Sequence, residues 1–290
     1  MNGNGIESLS KTTKDILNRN GIRLNKNLGQ NYLIDKNKRD QIIKFANITP
    51  EDTVLEIGAG IGTLTIEMAK KAGKVIAIEQ DPKICKILGE RLKNEKIDNV
   101  EIINDDALKV EFPKFNKIVS NLPYQISSPI TFKFLDYNFE LAILMYQKEF
   151  GDRMMGGVKS KNYSRLSAML YFKCDSEKLA DVSCESFIPK PKVDSVVLSL
   201  TPKDFQIDSE DFDIYSKFCR ALFQHRKKKI RNALIDSRHI ICSSDKKEVK
   251  RKLNDISDEQ LNGYLSKRVI AVSPEEILNI SLKLNPILND

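Results

Sequence analysis

The stretch Thr53-Val-Leu-Glu-Ile-Gly-Ala-Gly-Ile-Gly62 decides the fold of this chain. Its first five residues form a short, largely apolar run that glycine stops, which is typical of a buried strand. Gly58, Gly60 and Gly62 then allow a tight turn and a close approach of the backbone to a ligand. Apolar residues return at helical spacing over 64–69, which predicts a helix near 63–72. The end of a strand, a glycine loop and the first turn of a helix thus meet at one point. In an α/β sheet this arrangement indicates a site for a nucleotide-like ligand.

The spacing of these glycines narrows the type of ligand. A dinucleotide site would have G-x-G-x-x-G, but the third glycine of that pattern would fall at position 63, which is Thr. The observed G-x-G-x-G, preceded by Glu56, is similar to the cofactor loop of class I S-adenosylmethionine methyltransferases. A glycine-rich turn that binds no ligand is the alternative interpretation.

The rest of the N-terminal part continues the same pattern. Strands are predicted at 74–79, 100–103, 117–120 and 140–146, with helical segments between them. This alternation predicts a parallel, doubly wound sheet of the Rossmann-like type, closed by an antiparallel pair at 179–182 and 193–200. Polar residues end successive strands, where such sheets bind ligands: Glu79, Asp105, Asp106 and Asn121.

Composition excludes several classes of protein. The chain has 290 residues, 41% of them hydrophobic, and a net charge of +7. It contains no apolar run of about 18 residues and no leader-like N-terminus, so neither a membrane span nor secretion is expected. Five scattered cysteines and two histidines offer neither a disulfide pattern nor a zinc site. We therefore expect a cytoplasmic, metal-free protein.

A change in composition at 201–203 marks the predicted domain boundary, giving an α/β domain over 1–203 and a small all-helical domain over 204–290. Helices are predicted at 211–224, 226–236, 245–253, 258–265 and 274–283. Residues 217–238 carry eight bases against one acid, Asp236. Such a local positive field suits phosphates, although a solvated, charged helix face is the alternative.

Asn121-Leu-Pro-Tyr124, at the end of the fourth strand, indicates the chemistry. The exocyclic amine of adenine is a poor nucleophile because its lone pair is delocalised into the ring. The side-chain oxygen of Asn121 and the carbonyl of Leu122, directed by Pro123, can accept its two N–H bonds and free the lone pair. Tyr124 offers a face on which a flipped base can stack. No strong general base is required.

From Asn27 onward the chain resembles the adenine N6,N6-dimethyltransferases of small-subunit ribosomal RNA, in the style of the archaeal and eukaryotic members. The motifs that carry this resemblance are Asn27–Leu33, Leu55–Gly62, Glu79, Asp106-Ala107, Asn121–Pro129, Tyr146–Glu149, Tyr163–Ser167, Phe187–Val193 and Phe223–Arg231.

The resemblance implies a function and a role for each site residue. The family transfers methyl groups from S-adenosylmethionine to two adjacent adenosines of small-subunit ribosomal RNA during ribosome biogenesis, as a monomer. The implied cofactor-binding residues are Asn31, Leu33, Gly58, Gly60, Glu79, Asp106 and Asn121. Tyr124 and Phe187 would receive the target base, and the RNA-binding residues would be Arg226, Lys227, Lys228, Lys229 and Arg231. Asp105 is an alternative to Asp106.

Three other functions compete with this interpretation of the sequence. A large-subunit ribosomal RNA adenine methylase would share the catalytic domain, but the basic helical tail favours the small-subunit branch. A DNA adenine methylase would usually carry an Asp-Pro-Pro-Tyr-type motif. A non-catalytic ribosome assembly factor would not need an intact glycine loop, Glu79 and Asn121.

Overall fold

The computed structural model describes residues 8–22, 31–204, 207–256, 261 and 263–289. The chain divides into two compact units. The first, which we call the sheet unit, comprises Met1–Gly151 and Ser176–Pro202. The second, the helical unit, comprises Asp152–Asp175 and Lys203–Asp290. We call Asn27–Leu33 the N-terminal motif; its first four residues, Asn27–Gln30, lie outside the described residues.

A seven-stranded sheet forms the centre of the sheet unit. The strands follow the order β4 (Val100–Asn104), β3 (Lys74–Glu79), β2 (Thr53–Ile57), β5 (Lys117–Asn121), β6 (Leu141–Gln147), β9 (Ser195–Pro202) and β7 (Cys174–Val182). The first five of these are parallel to their neighbours, and β9 is antiparallel to β6. All five predicted parallel strands are confirmed to within about a residue.

The order of the strands places a topological switch point between β2 and β5. From β2 the chain proceeds outward to β3 and β4, and it then returns to the other side of β2 for β5 and β6. Open α/β sheets bind ligands at the carboxyl ends of strands beside such a point. The glycine loop follows β2, and Asn121 is the last residue of β5, so the topology brings the two predicted motifs together.

Helices pack against the sheet through buried apolar faces. In α4, Pro82–Asn94, this face consists of Ile84, Ile87, Leu88 and Leu92, all under 7% exposed. The helix after the glycine loop is shorter than the predicted 63–72. The helices of this unit are α1 Leu9–Arg19, α2 Lys36–Phe45, α3 Thr65–Ala69, α4 Pro82–Asn94, α5 Ser127–Phe134 and α6 Lys148–Met154, whose last turn lies in the helical unit.

A two-stranded ladder fixes the segment before α2. Strand β1, Tyr32–Leu33, pairs antiparallel with β8, Phe187–Ile188, so that Leu33 lies opposite Phe187. The side chain of Asp35 accepts a hydrogen bond from the backbone N–H of Lys38 at 3.1 Å and caps α2. The segment Tyr32–Asp35 is therefore held in the sheet unit on both sides of Leu33.

The helical unit contains a segment that the predicted boundary assigned to the first domain. Buried tyrosine hydroxyls tie 152–175 to it: Tyr215 donates to the carbonyl of Ala168, and Tyr163 to that of Val272, both at 2.8 Å. The sheet unit ends at Pro202, close to the predicted boundary, but 1–203 is not one compact unit. The helices are α7 Arg165–Tyr171, α8 Ser209–Phe223, α9 Ile230–Asp236, α10 Arg238–Ile241, α11 Lys246–Asp255 and α12 Pro274–Asn289.

The predicted helix 226–236 begins at Ile230. The predicted helix 258–265 falls partly outside the described residues, and Tyr264–Ser266 form a 3₁₀ turn. Across the residues that the structure describes, no helix combines the length and apolar character needed to cross a membrane.

Candidate active site

A cavity opens in the sheet unit at the carboxyl ends of β2, β3, β4 and β5. It brings together residues from every polar strand end that the sequence singled out. The predicted site residues that line it are Asn31, Leu33, Gly58, Gly60, Glu79, Asp105, Asp106, Asn121, Leu122, Pro123 and Tyr124. The sequence motifs, although far apart along the chain, therefore form one site.

The backbone of the glycine loop requires glycine. Gly58, Gly60 and Gly62 have φ angles of +70°, +57° and +87°, which strain any other residue. A Cβ on Gly58 would lie 3.0 Å from the ring of Pro123, and one on Gly60 would lie 3.1 Å from the ring of Tyr32. The loop therefore passes directly between the Asn121-Leu-Pro-Tyr124 motif and the N-terminal motif.

The carboxylate of Glu79 is held by the backbone. One oxygen accepts the N–H of Gly60 at 2.9 Å, and the other accepts the N–H of Asp81 at 3.0 Å. Burial raises the pKa of Glu79 above its ordinary value, while these two hydrogen bonds act in the opposite direction. Glu79 lines the cavity, and each of its carboxylate oxygens has capacity for a further hydrogen bond, so the side chain can accept two vicinal hydroxyls.

The loop after β4 offers two carboxylates. Asp105 is exposed, and its Oδ1 accepts the N–H of Asp106 at 2.6 Å. Asp106 is partly buried; its Oδ1 accepts the N–H of Leu108 at 3.0 Å. Lys133 fixes the following turn by donating to the carbonyls of Ala107 and Val110 at 2.9 and 2.6 Å. Both aspartates line the cavity, and Asp106 is the less exposed of the two and also lies 3.7 Å from Nζ of Lys109.

Asn121 is oriented by the N-terminal motif. Its amide nitrogen donates to the carbonyl of Asn31 at 2.9 Å. The amide oxygen therefore points away from that contact, and none of the described residues donates a hydrogen bond to it. The arrangement leaves Oδ1 of Asn121 as a positioned acceptor at the cavity.

Tyr124 is held in place by a second hydroxyl. Its Oη lies 2.7 Å from Oγ of Ser195, a fully buried residue at the start of β9. The ring is only partly buried and lines the cavity. A fixed aromatic face beside Asn121 suits a stacked planar base.

Glu56, the acid that precedes the glycine loop, also lines the cavity, although the sequence pattern indicated no specific role for it. It is 2% exposed, and its Oε2 accepts the hydroxyl of Thr65 at 2.5 Å. With Glu79, Asp105 and Asp106 it gives the cavity four carboxyl groups, whereas the described lining residues include no Lys, Arg or His. The electrostatics favour a cationic ligand. In the described ranges, no group of three or more His, Cys, Asp or Glu side chains could hold a metal ion.

Comparison with known proteins agrees with this geometry. The family profile described as "Ribosomal RNA adenine dimethylase" matches residues 21–266. The chain belongs to the ribosomal RNA adenine dimethylase family. It is 51% identical over 273 residues to a "Probable ribosomal RNA small subunit methyltransferase A" of Methanosphaera stadtmanae, covering 94% of this chain and 97% of the relative.

Two solved structures of related proteins share the fold. A dimethyladenosine transferase from Plasmodium falciparum is similar with a TM-score of 0.74 and 33% identity, over 88% of this chain and 98% of that one. The 23S rRNA methyltransferase ErmE is similar with a TM-score of 0.62 and 27% identity, over 89% and 99% of the two chains. These comparisons confirm the predicted Rossmann-like methyltransferase fold and the predicted family.

One family residue does not lie where the sequence interpretation placed it. Phe187 is 2% exposed and packs in the core of the sheet unit with Leu33, Val182 and Val197. It is not among the described residues that line the cavity. The reason is its ladder position opposite Leu33, which directs the ring into the core. In this structure Phe187 packs beside Leu33 in the core and does not present its ring to a target base.

The basic segment of the helical unit also differs from the prediction. Residues 226–229 form a turn before α9, so they do not spread around a helix. Arg226 donates to the carbonyls of Lys161 and Tyr163 at 3.0 and 2.9 Å, and Lys228 lies 2.7 Å from Asp236.

Of the remaining bases of this segment, one is hydrogen-bonded to a neighbouring side chain and two are exposed. Arg231 donates to Oδ1 of Asn254 at 2.5 Å. Lys227 and Lys229 are exposed, and their ammonium groups have no partner among the described residues.

Helix α11 carries further bases that sequence reasoning did not assign. Val249 and Leu253 form its buried face. Its exposed residues include Lys247, Lys250 and Arg251. The spacing of the two apolar positions in an otherwise charged stretch is the signal that could have indicated this basic face.

Proposed function

We propose that this chain transfers methyl groups from S-adenosylmethionine to the N6 amine of adenosines in small-subunit ribosomal RNA, and that the product is dimethyladenosine. Membership of the family supports adenine dimethylation. The higher identity to a relative named for the small subunit, 51% against 27% for the 23S enzyme, supports the small-subunit substrate. We expect the protein to act in the cytoplasm on pre-ribosomal small subunits.

The cavity fits this cofactor by its shape and charge. The glycine loop leaves space that a Cβ would fill, Glu79 can accept the two ribose hydroxyls, and Asp106 can accept the adenine amine. The excess of carboxyl groups suits the positive sulfonium. When bound, S-adenosylmethionine supplies an activated methyl group attached to that sulfonium.

The orientation of Asn121 is the observation that carries the mechanism. Because its amide nitrogen is bonded to Asn31, the oxygen is the group available to the target amine. Together with the carbonyl of Leu122, it would accept the two N–H bonds and release the lone pair of the nitrogen. Removing one preorganised donor or acceptor of this kind costs about 100-fold or more in rate.

Tyr124 would receive the flipped adenine. Its hydrogen bond to Ser195 restricts rotation of the ring, so the base meets a surface that is already in place. After the first transfer only one N–H remains, and the amine gains one fewer hydrogen bond from the site. Stacking on Tyr124 therefore becomes more important for the second transfer.

The helical unit would add affinity for RNA. Lys227, Lys229 and the exposed bases of α11 are the groups available for phosphates, whereas Arg226 has a structural role in the chain turn. Structured RNA is contacted mainly through shape and phosphates. We therefore expect these residues to contribute affinity without base specificity.

The test is transfer of labelled methyl groups to purified ribosomal subunits that lack the modification. Label should enter small-subunit RNA as dimethyladenosine, at adjacent adenosines, and large subunits should remain unlabelled. Asn121→Ala should bind the cofactor but transfer no measurable label. Equal labelling of large subunits would instead favour the large-subunit assignment.

A further inference from the structure

Glu56 is a buried acid without a counter-ion in the wall of the cavity. It is the fourth residue of β2, 2% exposed, and its hydrogen-bond partner is the neutral hydroxyl of Thr65. Burying a carboxyl group away from water is costly unless it is paired or protonated. Because Glu56 lines the cavity, a ligand bound there could supply the missing positive charge.

The charged groups on the elements around Glu56 do not supply that partner within the described part of the chain. On β5, Lys117 bonds to Asp52 and to the carbonyl of Asn47. On α3, Glu67 pairs with Arg39 and Lys70.

On β3 the nearest charge is Glu79, a second carboxylate. Burial, assisted by the repulsion from Glu79, raises the pKa of Glu56 to about 8. Without a bound cation, Glu56 is therefore mostly protonated at neutral pH.

The order of the strands indicates which part of the cofactor meets Glu56. Asp106 follows β4, Glu79 ends β3, and Glu56 lies on β2, with neighbouring strands about 4.8 Å apart. If the adenine lies at Asp106 and the ribose at Glu79, the next group along the cofactor, its amino-acid part, reaches β2. That part carries an ammonium group.

We propose that Glu56 is the counter-ion of the cofactor's α-ammonium group, and that it releases its proton to solvent when the cofactor binds. This inference rests on the proposed function. The balance is simple: the neutral carboxyl and the incoming ammonium become a carboxylate–ammonium pair, and one proton leaves. Thr65 then orients the carboxylate by donating its hydroxyl hydrogen to Oε2.

Because cofactor binding and deprotonation of Glu56 are coupled, the pairing can be measured as a pH dependence of the cofactor affinity. Below the pKa of about 8, cofactor binding competes with protonation of Glu56, so affinity rises with pH. Between pH 6 and 7 the rise should be about tenfold per pH unit. At pH 7 close to one proton should be released for each cofactor bound.

Titration calorimetry at pH 7 in two buffers of different ionisation enthalpy counts this proton. The wild-type chain should release close to one proton with S-adenosylmethionine and none with 5′-deoxy-5′-methylthioadenosine, which lacks the amino-acid part. Glu56→Gln should bind S-adenosylmethionine without proton release, and its affinity should not change between pH 6 and 7. Glu101→Gln, which alters an exposed acid of β4 paired with Lys74, is the matched control.

Equal proton release with the two compounds would overturn the inference, and this comparison uses only the wild-type chain. Wild-type affinity and proton release in a folded Glu56→Gln variant would also overturn it. If neither compound binds the wild-type chain, the proposed cofactor itself is wrong. The two failures are thus distinguishable.

Discussion

Replacing Glu79 with Gln tests the cofactor site most directly. The side chain keeps its length, and its amide oxygen can still accept one of the two backbone N–H groups, from Gly60 or Asp81. The amide nitrogen must then face the other N–H group or the ligand. The change therefore removes the charge and one acceptor while it leaves most of the packing intact.

The size of the effect follows from the two hydrogen bonds that Glu79 would make to the ribose. A hydrogen bond to a charged group contributes about 1.5 to 3 kcal/mol, and one between neutral groups about 0.5 to 1.5 kcal/mol. Two such losses come to about 2 to 3 kcal/mol. The dissociation constant for S-adenosylmethionine should therefore rise by about 30- to 150-fold.

Two measurements follow this change. Calorimetry gives the dissociation constant, and thermal unfolding gives the stabilisation by ligand. At a concentration 100 times the wild-type constant, the ligand stabilises the wild-type chain by about 2.7 kcal/mol, whereas a variant with 100-fold weaker binding gains only about 0.4 kcal/mol. Glu101→Gln serves as the control. A change of less than twofold in the affinity of Glu79→Gln would remove this residue from the site.

Three further predictions test other parts of the structure. Ser195→Ala should free the ring of Tyr124 and raise the ratio of monomethyl to dimethyl product, measured by mass spectrometry of digested RNA; an unchanged ratio would contradict the anchoring role. Phe187→Ala should lower the free energy of unfolding by about 3 to 5 kcal/mol, because it opens a cavity in the core; a loss below about 1 kcal/mol in denaturant titration would contradict its burial. Lys227 and Lys229 changed together to Gln should lower the salt-dependence slope of subunit binding by about two units at most without altering cofactor affinity; an identical slope would place these lysines outside the RNA contact.

The parallel strands could be predicted because each is a short apolar run that a glycine or a polar residue ends. Their order could be expected only in general terms, since contacts between distant strands leave no local pattern. The pairing of Tyr32–Leu33 with Phe187–Ile188 was not predicted for the same reason. A two-residue ladder has no periodicity, and it forms because both segments pack on the same core.

That the polar strand ends line one cavity could be predicted, because the topology of an α/β sheet gathers strand ends in one place. Side-chain direction was harder to predict. Phe187 was assigned to the target base, but the structure buries it, and the start of α9 at Ile230 changes which bases of the preceding turn are available. Ser195 carried no signal, since a serine in an alternating strand is ordinary. Glu56 did carry a signal, because burying a carboxyl group within an apolar strand is costly and is therefore unusual without a structural or functional role.

The helical unit is assembled from two separate pieces of chain, 152–175 and 203–290. During synthesis on the ribosome, the first piece emerges long before Tyr215 and Val272, its partners, have been made. The sheet unit, whose last strand ends at Pro202, can complete its hydrogen bonding while the segment around α7 still lacks its packing partners from 203–290. The same division means that a change in the C-terminal tail also acts on the packing of residues 152–175. Among relatives, substitutions around Ala168 should therefore vary together with those around Tyr215.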